Sequence, residues 1–368
     1  MRIRPNIRAL KRKSFMHKDE LSLLYGKVTF SGLNCRGGVR HFSGVPLRVD
    51  EFIKEYDWAE GIWEVGDTSY ESLKREICRF WSDCSELRPE QIKIGYGSMQ
   101  VLERINKFFV RPGVKVLGYA PQFIEYVTEL EMSGVDYKAM LLDPEKNFEF
   151  DAARFLREIS SSYSLIYIDN PNNPTGYLIG LDELEDIIRE ADRKDIFVLI
   201  DEAYADYAEK QSSAINLTSS YDNLIVTRTF TKGYQFAGIR VGYGIFSAEL
   251  SEYYDKVDLP FPIPAVGSYM GKEALLDKTF MRGLKERLKS IKEELIRGLE
   301  QRGYHVSSTL KTCPIFLVGC KDEECDLKKY FLDKGILTLS GRDFMNLGKN
   351  YVRITVPEKP EEFLSRLE

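Results

Sequence analysis

Histidine is scarce in this sequence. There are three in 368 residues, His17, His41 and His305, and none stands in a catalytic string or at ligand spacing to another. Serine-histidine-aspartate chemistry and histidine-based metal sites therefore have little to be built from. The six cysteines (Cys35, Cys78, Cys84, Cys313, Cys320 and Cys325) form no CxxC pair. Free thiols in a reducing cytoplasm are the expected state, with no metal centre. No apolar run approaches the length of a membrane span, and the N-terminus carries no hydrophobic stretch of signal-peptide type. Excess positive charge is also lacking: the formal net charge of −5 gives no drive toward nucleic acid. The exception is the N-terminal arm, where Arg2, Arg4, Arg8, Lys11, Arg12, Lys13 and Lys18 precede the first acid, Asp19. The ordinary reading of such an arm is a solvated segment that packs on a partner subunit.

What is present is enough apolar residue to bury a large core: 43% hydrophobic and 30% charged, over a length that suits two domains. Short apolar runs alternate with amphipathic stretches through the middle of the chain. Gln91–Tyr96, Val114–Tyr119, Val135–Leu141, Ser164–Asp169, Ile196–Asp201, Leu224–Thr227 and Val241–Ile245 read as strands. Ser98–Val110, Gln122–Met132 and Leu181–Ala191 read as helices. This rhythm predicts an α/β fold with a mostly parallel sheet covered by helices on both faces. After Phe246 the pattern changes. Pro260, Pro262 and Pro264 mark a connection hostile to helix, and a long helical pattern covers Lys278 to Arg302, on which Glu293 and Arg297 are placed to pair. Short strands follow at Ile315–Val318, Ile336–Leu339 and Tyr351–Val356, with a terminal helix at Pro360–Leu367. The division expected is an N-terminal arm (1–45), a large domain (46–256) and a smaller α+β domain (257–368).

Four strings stand at the ends of predicted strands, where ligands collect in open α/β sheets. Gly95-Tyr96-Gly97-Ser98-Met99 turns from strand to helix, and its backbone N–H groups suit a phosphate; it is not a dinucleotide GxGxxG. Asn170-Pro171-Asn172-Asn173-Pro174-Thr175-Gly176 is a turn by composition that also holds an asparagine rigidly. Asp201-Glu202-Ala203-Tyr204 puts a carboxylate at the end of an apolar strand, as a helix cap or the partner of a buried cation. Thr229-Phe230-Thr231-Lys232 leads through a glycine turn to Arg240. Read alone, Lys232 is an ordinary solvated lysine. Together the four suit an aromatic aldehyde that carries a ring nitrogen, a phenolic oxygen and a phosphate.

These strings, with Ala237-Gly238-Ile239-Arg240-Val241-Gly242-Tyr243, resemble the class I/II aminotransferases of pyridoxal-phosphate fold type I. Within them the chain is most similar to the branch of histidinol-phosphate aminotransferase and threonine-phosphate decarboxylase, from about Asp67 to the C-terminus. The resemblance implies pyridoxal 5′-phosphate as cofactor and Lys232 as its Schiff-base lysine and proton carrier. Asp201 would pair with the ring nitrogen, Asn173 and Tyr204 would bond the ring oxygen, and Phe123 would stack on the ring. Gly97, Ser98, Met99, Thr229 and Arg240 would hold the phosphate, and Arg353 the substrate carboxylate. It implies a homodimer that moves an amino group between an amino acid or amino alcohol phosphate and a 2-oxo acid. The alternative on the same scaffold is decarboxylation of a phosphorylated amino acid.

Three departures bear on the substrate. The branch usually carries Tyr-Pro-Asp where Val65-Gly66-Asp67 stands, and Tyr70 is offset from the missing phenol. Leu339 stands where an arginine usually helps to bind the substrate phosphate, with Arg342 three residues on. The usual Asn-x-Asn-Pro-x-Gly string is replaced by Cys35-Arg36-Gly37-Gly38-Val39-Arg40. Arg36 and Arg40 are the candidates for the lost positive charge.

Overall fold

The computed structural model describes residues 7–8, 32–38, 49–63 and 66–368. Most of the basic N-terminal arm, Arg40 and Val65 lie outside the described residues. Seven strands form the central sheet: β2 (Ile92–Gly95), β3 (Lys115–Ala120), β4 (Asp136–Leu141), β5 (Leu165–Asp169), β6 (Phe197–Asp201), β7 (Leu224–Thr229) and β8 (Gly242–Ile245). Their order is β2-β8-β7-β6-β5-β3-β4. The β3–β4, β3–β5, β5–β6 and β6–β7 pairs are parallel, and β8 is antiparallel to both its neighbours. Six strands therefore run one way and only β8 runs back. The C-terminal ends of β2, β5, β6 and β7 come out on one edge, the edge where a mostly parallel sheet binds ligands.

The central strands β5 and β6 are apolar up to their final aspartates because both faces are covered. Val198, Leu199 and Ile200 of β6 are fully buried, as are Ile166, Tyr167 and Ile168 of β5. The helices Ser98–Phe109 and Ile124–Met132 follow β2 and β3, and Leu181–Asp192 lies between β5 and β6. The expected helix over 278–302 is Phe280–Gln301, and it stops before Gly303, whose φ of +81° ends the turn. Glu293 on it pairs with Lys311, 2.8 Å away, and not with Arg297.

A helix not expected from the sequence spans Ala265–Leu276. It starts directly after Pro264, so the prolines precede it and do not break it. It lies on the helix Glu71–Trp81: a Cβ on Gly271 would stand 3.4 Å from Leu73 and from Val241, and one on Gly267 3.1 Å from Val241. At Gly267 the approach of Val241 leaves little room for a side chain.

A second sheet holds β12 (Leu339–Ser340), β13 (Tyr351–Thr355), β10 (Ile315–Gly319) and β9 (His305–Val306), in that order. The strand expected over 336–339 is split. Ile336–Leu337 (β11) pairs in parallel with Leu33–Asn34 (β1), while Leu339–Ser340 pairs with β13. This break has a functional consequence, because it carries the N-terminal segment 33–38 to the ligand edge of the large sheet.

Candidate active site

The edge opens into a cavity of about 380 Å³. Its floor is the ends of the parallel strands. Asp169 ends β5, Asp201 ends β6 and Thr229 ends β7, and all three line the cavity.

One end is suited to a phosphate. Gly97 has φ +82° and precedes the 12-residue helix Ser98–Phe109, so the free N–H groups and positive end of that helix face the cavity. A Cβ on Gly97 would stand 2.8 Å from Arg240 Nη2. Gly242, whose Cβ would lie 2.4 Å from the Gly97 carbonyl carbon, leaves the room for that turn. Arg240 reaches over it and donates to the Tyr96 carbonyl at 3.1 Å. Thr229 Oγ1 accepts the Thr231 N–H at 3.1 Å and shares a 2.7 Å hydrogen bond with the Thr231 hydroxyl. Thr231 lines the cavity as well, a contact that the sequence reading did not single out.

Lys232 sits beside this end. Its backbone carbonyl accepts from the Tyr207 hydroxyl at 2.8 Å, and Gly233 is pressed on Asp206, 2.4 Å from where a Cβ would be. These contacts fix the turn that presents the amine. Lys232 Nζ has no hydrogen-bond partner among the described residues and lies 5.4 Å from the Tyr204 ring centroid. Burial pushes its amine down to about 8, helped by the positive charges of Arg353 and Arg240. Another buried lysine, Lys292, makes a useful contrast. Burial pushes it down to about 7, yet Thr309 Oγ1, Leu310 O, Cys313 O and Ile315 O accept from it at 2.6 to 3.1 Å. Lys292 is a caged structural group; Lys232 is a half-buried lysine whose amine faces the cavity.

Asp201 is 2% exposed and accepts from Thr227 Oγ1 at 3.0 Å. Burial, and next the charge of Asp169, push it up to about 7. Behind it the turn 202–206 is held by Arg228, which pairs with Glu202 at 2.8 Å and with Asp206. This places Tyr204, whose hydroxyl is buried and has no hydrogen-bond partner among the described residues. Burial raises that phenol to about 12, so it stays protonated and able to donate. Phe123 lines the same cavity, half-buried.

The other end is built by β1, β12 and β13. Arg353 Nη1 donates to Asn173 Oδ1 at 2.9 Å, and Nη2 to the Arg36 carbonyl at 2.7 Å. Asn173 thereby turns its amide oxygen to Arg353 and keeps its Nδ2 donor for another group. Cys35 bridges Leu337 and Thr355 through its backbone, and the Thr355 hydroxyl donates to the Gly37 carbonyl. Arg36 is 7% exposed and lines the cavity with Arg353 and Leu339. Burial, and further on the charge of Arg36, push the Arg353 guanidinium down from its usual value. Gly38 closes this wall: a Cβ there would stand 2.2 Å from the Tyr204 hydroxyl and 2.9 Å from Lys232 Nζ.

Arg342 does not reach the cavity. It is exposed, on the short helical turn Gly341–Asp343, and is absent from the lining. Tyr70 does not face the cavity either. Its hydroxyl donates to the Ile263 carbonyl at 3.0 Å and accepts the Ile263 N–H at 3.3 Å. All the other described residues singled out for cofactor or substrate line this one cavity, and Arg40 lies outside the described residues.

The donor set fits pyridoxal 5′-phosphate. The buried Tyr204 hydroxyl lacks a partner among the described residues, the Lys232 amine faces the cavity, and Asp201 offers an acceptor for a ring N–H. With a helix N-terminus and a guanidinium at the phosphate end, fold and site define a pyridoxal-phosphate enzyme of fold type I. The model of the family "Aminotransferase class I and II" matches residues 49–367. The chain belongs to that family.

Among curated proteins it is 31% identical to the histidinol-phosphate aminotransferase of Methanocaldococcus jannaschii, over 87% of this chain and 83% of that one. It is 29% identical to a putative threonine-phosphate decarboxylase of Caldanaerobacter subterraneus, over 86% and 84%. Among solved structures, the fold is shared with histidinol-phosphate aminotransferase of Sinorhizobium meliloti in complex with pyridoxal-5′-phosphate. That match has a TM-score of 0.81 at 20% identity and covers 100% and 96% of the two chains. Aspartate aminotransferase of Thermus thermophilus with maleate shares it too, with a TM-score of 0.86 at 18% identity and 99% and 98% coverage.

Proposed function

We propose that this chain is a homodimeric cytoplasmic aminotransferase that moves the amino group of an amino acid or amino alcohol phosphate, of histidinol-phosphate type, to a 2-oxo acid. The observation that carries this is the meeting of Lys232, Asp201, Tyr204 and Arg353 in one cavity. Bound there, the cofactor supplies an electron-withdrawing ring that accepts the electron pair released when a bond to the substrate Cα breaks.

The chain's own residues do the rest. Asp201 would accept the hydrogen bond of the ring N–H and so keep that nitrogen protonated. Tyr204 Oη and Asn173 Nδ2 donate to the ring oxygen, and Phe123 covers the ring. Gly97, Ser98 and Met99, with Thr229 and Arg240, hold the phosphate. Lys232 Nζ takes the Cα proton; with its amine near 8, a useful fraction is neutral at physiological pH. Arg353 pairs with the substrate carboxylate and so sets which Cα bond stands across the ring. Gly37 and Gly38 bring the chain close over Lys232 and limit water there.

Charge supports an anionic substrate side chain. Four cations, Arg36, Lys232, Arg240 and Arg353, and two carboxylates, Asp169 and Asp201, line the cavity. The cofactor engages Lys232, Arg240 and Asp201, and the substrate carboxylate engages Arg353. Arg36 lines the same wall as Arg353, and in this reading it meets a second anionic group in place of the arginine that Leu339 displaces. An absorbance titration with amino acids and their phosphate esters tests this. Conversion of the cofactor to its amine form, with nitrogen passing to 2-oxoglutarate and a preference for phosphate esters, is the expected result. Indifference to the phosphate would remove histidinol-phosphate-type substrates, and release of carbon dioxide would replace transamination by decarboxylation.

A further inference from the structure

The last residue of β5 is a second buried carboxylate that none of the roles above uses. Asp169 is 3% exposed and lines the cavity. It stands in register with Asp201 on the parallel neighbour β6, so the two side chains leave the sheet on the same face. No cation pairs with it among the described residues; neutral donors fill both of its oxygens. Oδ1 accepts from the Tyr119 hydroxyl at 2.7 Å and from Asn172 Nδ2 at 3.1 Å. Oδ2 accepts the backbone N–H of Asn173 at 2.9 Å and that of Phe123 at 3.2 Å. A buried carboxylate without a cation is costly, and it persists where its hydrogen bonds are needed.

We propose that Asp169 is a positioning residue for the cofactor, tying the backbone of Phe123 to that of Asn173 through one oxygen. The inference rests on the reading of the cavity as a pyridoxal-phosphate site. Phe123 and Asn173 belong to separate segments, the turn after β3 and the turn after β5. Each meets the cofactor ring, one by stacking and one by a hydrogen bond. A shared acceptor fixes their separation and so the slot in which the ring lies. The chemistry requires a carboxylate. All four donors point inward, so both side-chain oxygens must accept. An asparagine would set an N–H₂ group against either the two backbone N–H groups or Asn172 Nδ2. The charge of Asp169 has a second effect: it raises the proton affinity of Asp201 beside it.

The test uses the full chain freed of cofactor and reloaded with pyridoxal phosphate. The dissociation constant and the visible circular dichroism of the bound cofactor are measured for wild type, Asp169→Asn and Tyr119→Phe. Asp169→Asn should weaken cofactor binding about 10- to 100-fold, in line with the loss of hydrogen bonds to a charged acceptor, and cut the dichroic band per bound cofactor by more than half. Tyr119→Phe, which withdraws one donor and keeps the charge, should change both in the same direction by only a few-fold. In combination with Asn173→Ala, Asp169→Asn should cost less than the sum of the two single changes. Unchanged affinity and dichroism in Asp169→Asn would overturn the proposal, as would a lower unfolding temperature with the dichroic band intact. Should Asp169→Asn fail to fold, Tyr119→Phe decides by the same two readings. A wild-type chain that takes up no cofactor would overturn the reading of the cavity itself.

Discussion

At the cofactor end of the cavity, Asp201, Thr229 and Lys232 come from two neighbouring strands and the turn that follows them, within 32 residues of sequence. At the substrate end, Arg36 and Arg353 lie 317 residues apart and meet only because β1 pairs with β11 and Cys35 bridges to Thr355. The first end is set by local turns on a rigid sheet edge and presents what any member of the family needs for its cofactor. The second is set by long-range pairing of short strands: Leu339, expected from the family resemblance to stand in place of an arginine, lies directly across from Arg353, and Arg36 stands in the wall.

The sharpest way to separate the two ends is by substitution. Lys232→Ala should lower turnover by about 10³-fold or more, because it removes the group that moves the Cα proton; single-turnover absorbance measures this. Arg353→Gln and Arg36→Gln should leave the cofactor end intact and act on KM. The first should raise KM about 10- to 100-fold for every amino substrate. The second should do so only for substrates with a second anionic group, the size expected for one charge-assisted hydrogen bond. An equal effect of Arg36→Gln on neutral side chains would break the division.

A subtler probe is pH. Only a neutral amine attacks an aldehyde, and burial, then Arg353, then Arg240 push Lys232 down to about 8. The rate at which cofactor-free protein bonds pyridoxal, the aldehyde without its phosphate, should therefore rise with pH and level off above about 8. Arg240→Gln removes one of the depressing charges and should move that limb to higher pH. The smallest effect is expected away from both ends. Tyr70→Phe should cost about 1 kcal/mol of stability, from the lost hydrogen bond to Ile263, with kinetics unchanged. A change in cofactor affinity there would show that Tyr70 does act at a phosphate.

The legibility of the sequence follows the same line. The four strings that build the cofactor end are contiguous, and each announces itself by turn residues after an apolar strand, so Gly97, Asn173, Asp201, Tyr204, Lys232 and Arg240 could be placed in advance. Asp169 was not singled out, although the signal was there: two buried strands, β5 and β6, both end in aspartate. What a sequence does not display is that their register puts the two carboxylates side by side. The break at Thr338 was invisible because Ile336-Leu337-Thr338-Leu339 is one run of strand-forming residues, and only the competing partners β1 and β13 divide it. The helix Ala265–Leu276 was hidden by three prolines before it and by Gly267 and Gly271 within it, which weaken a helical pattern locally while permitting the close packing that stabilises it. Arg342 was placed wrongly because sequence distance says nothing of which side of a turn a side chain leaves.

The central claim is that Lys232, and not the fully buried Lys292, carries the cofactor. Borohydride reduction of the cofactor-loaded protein, followed by proteolysis and mass spectrometry of the peptides, tests it directly. The account predicts one pyridoxyl-phosphate mass increment per chain, on the peptide containing Lys232. A label on the Lys292 peptide or on any other lysine, or no label at all, would contradict it.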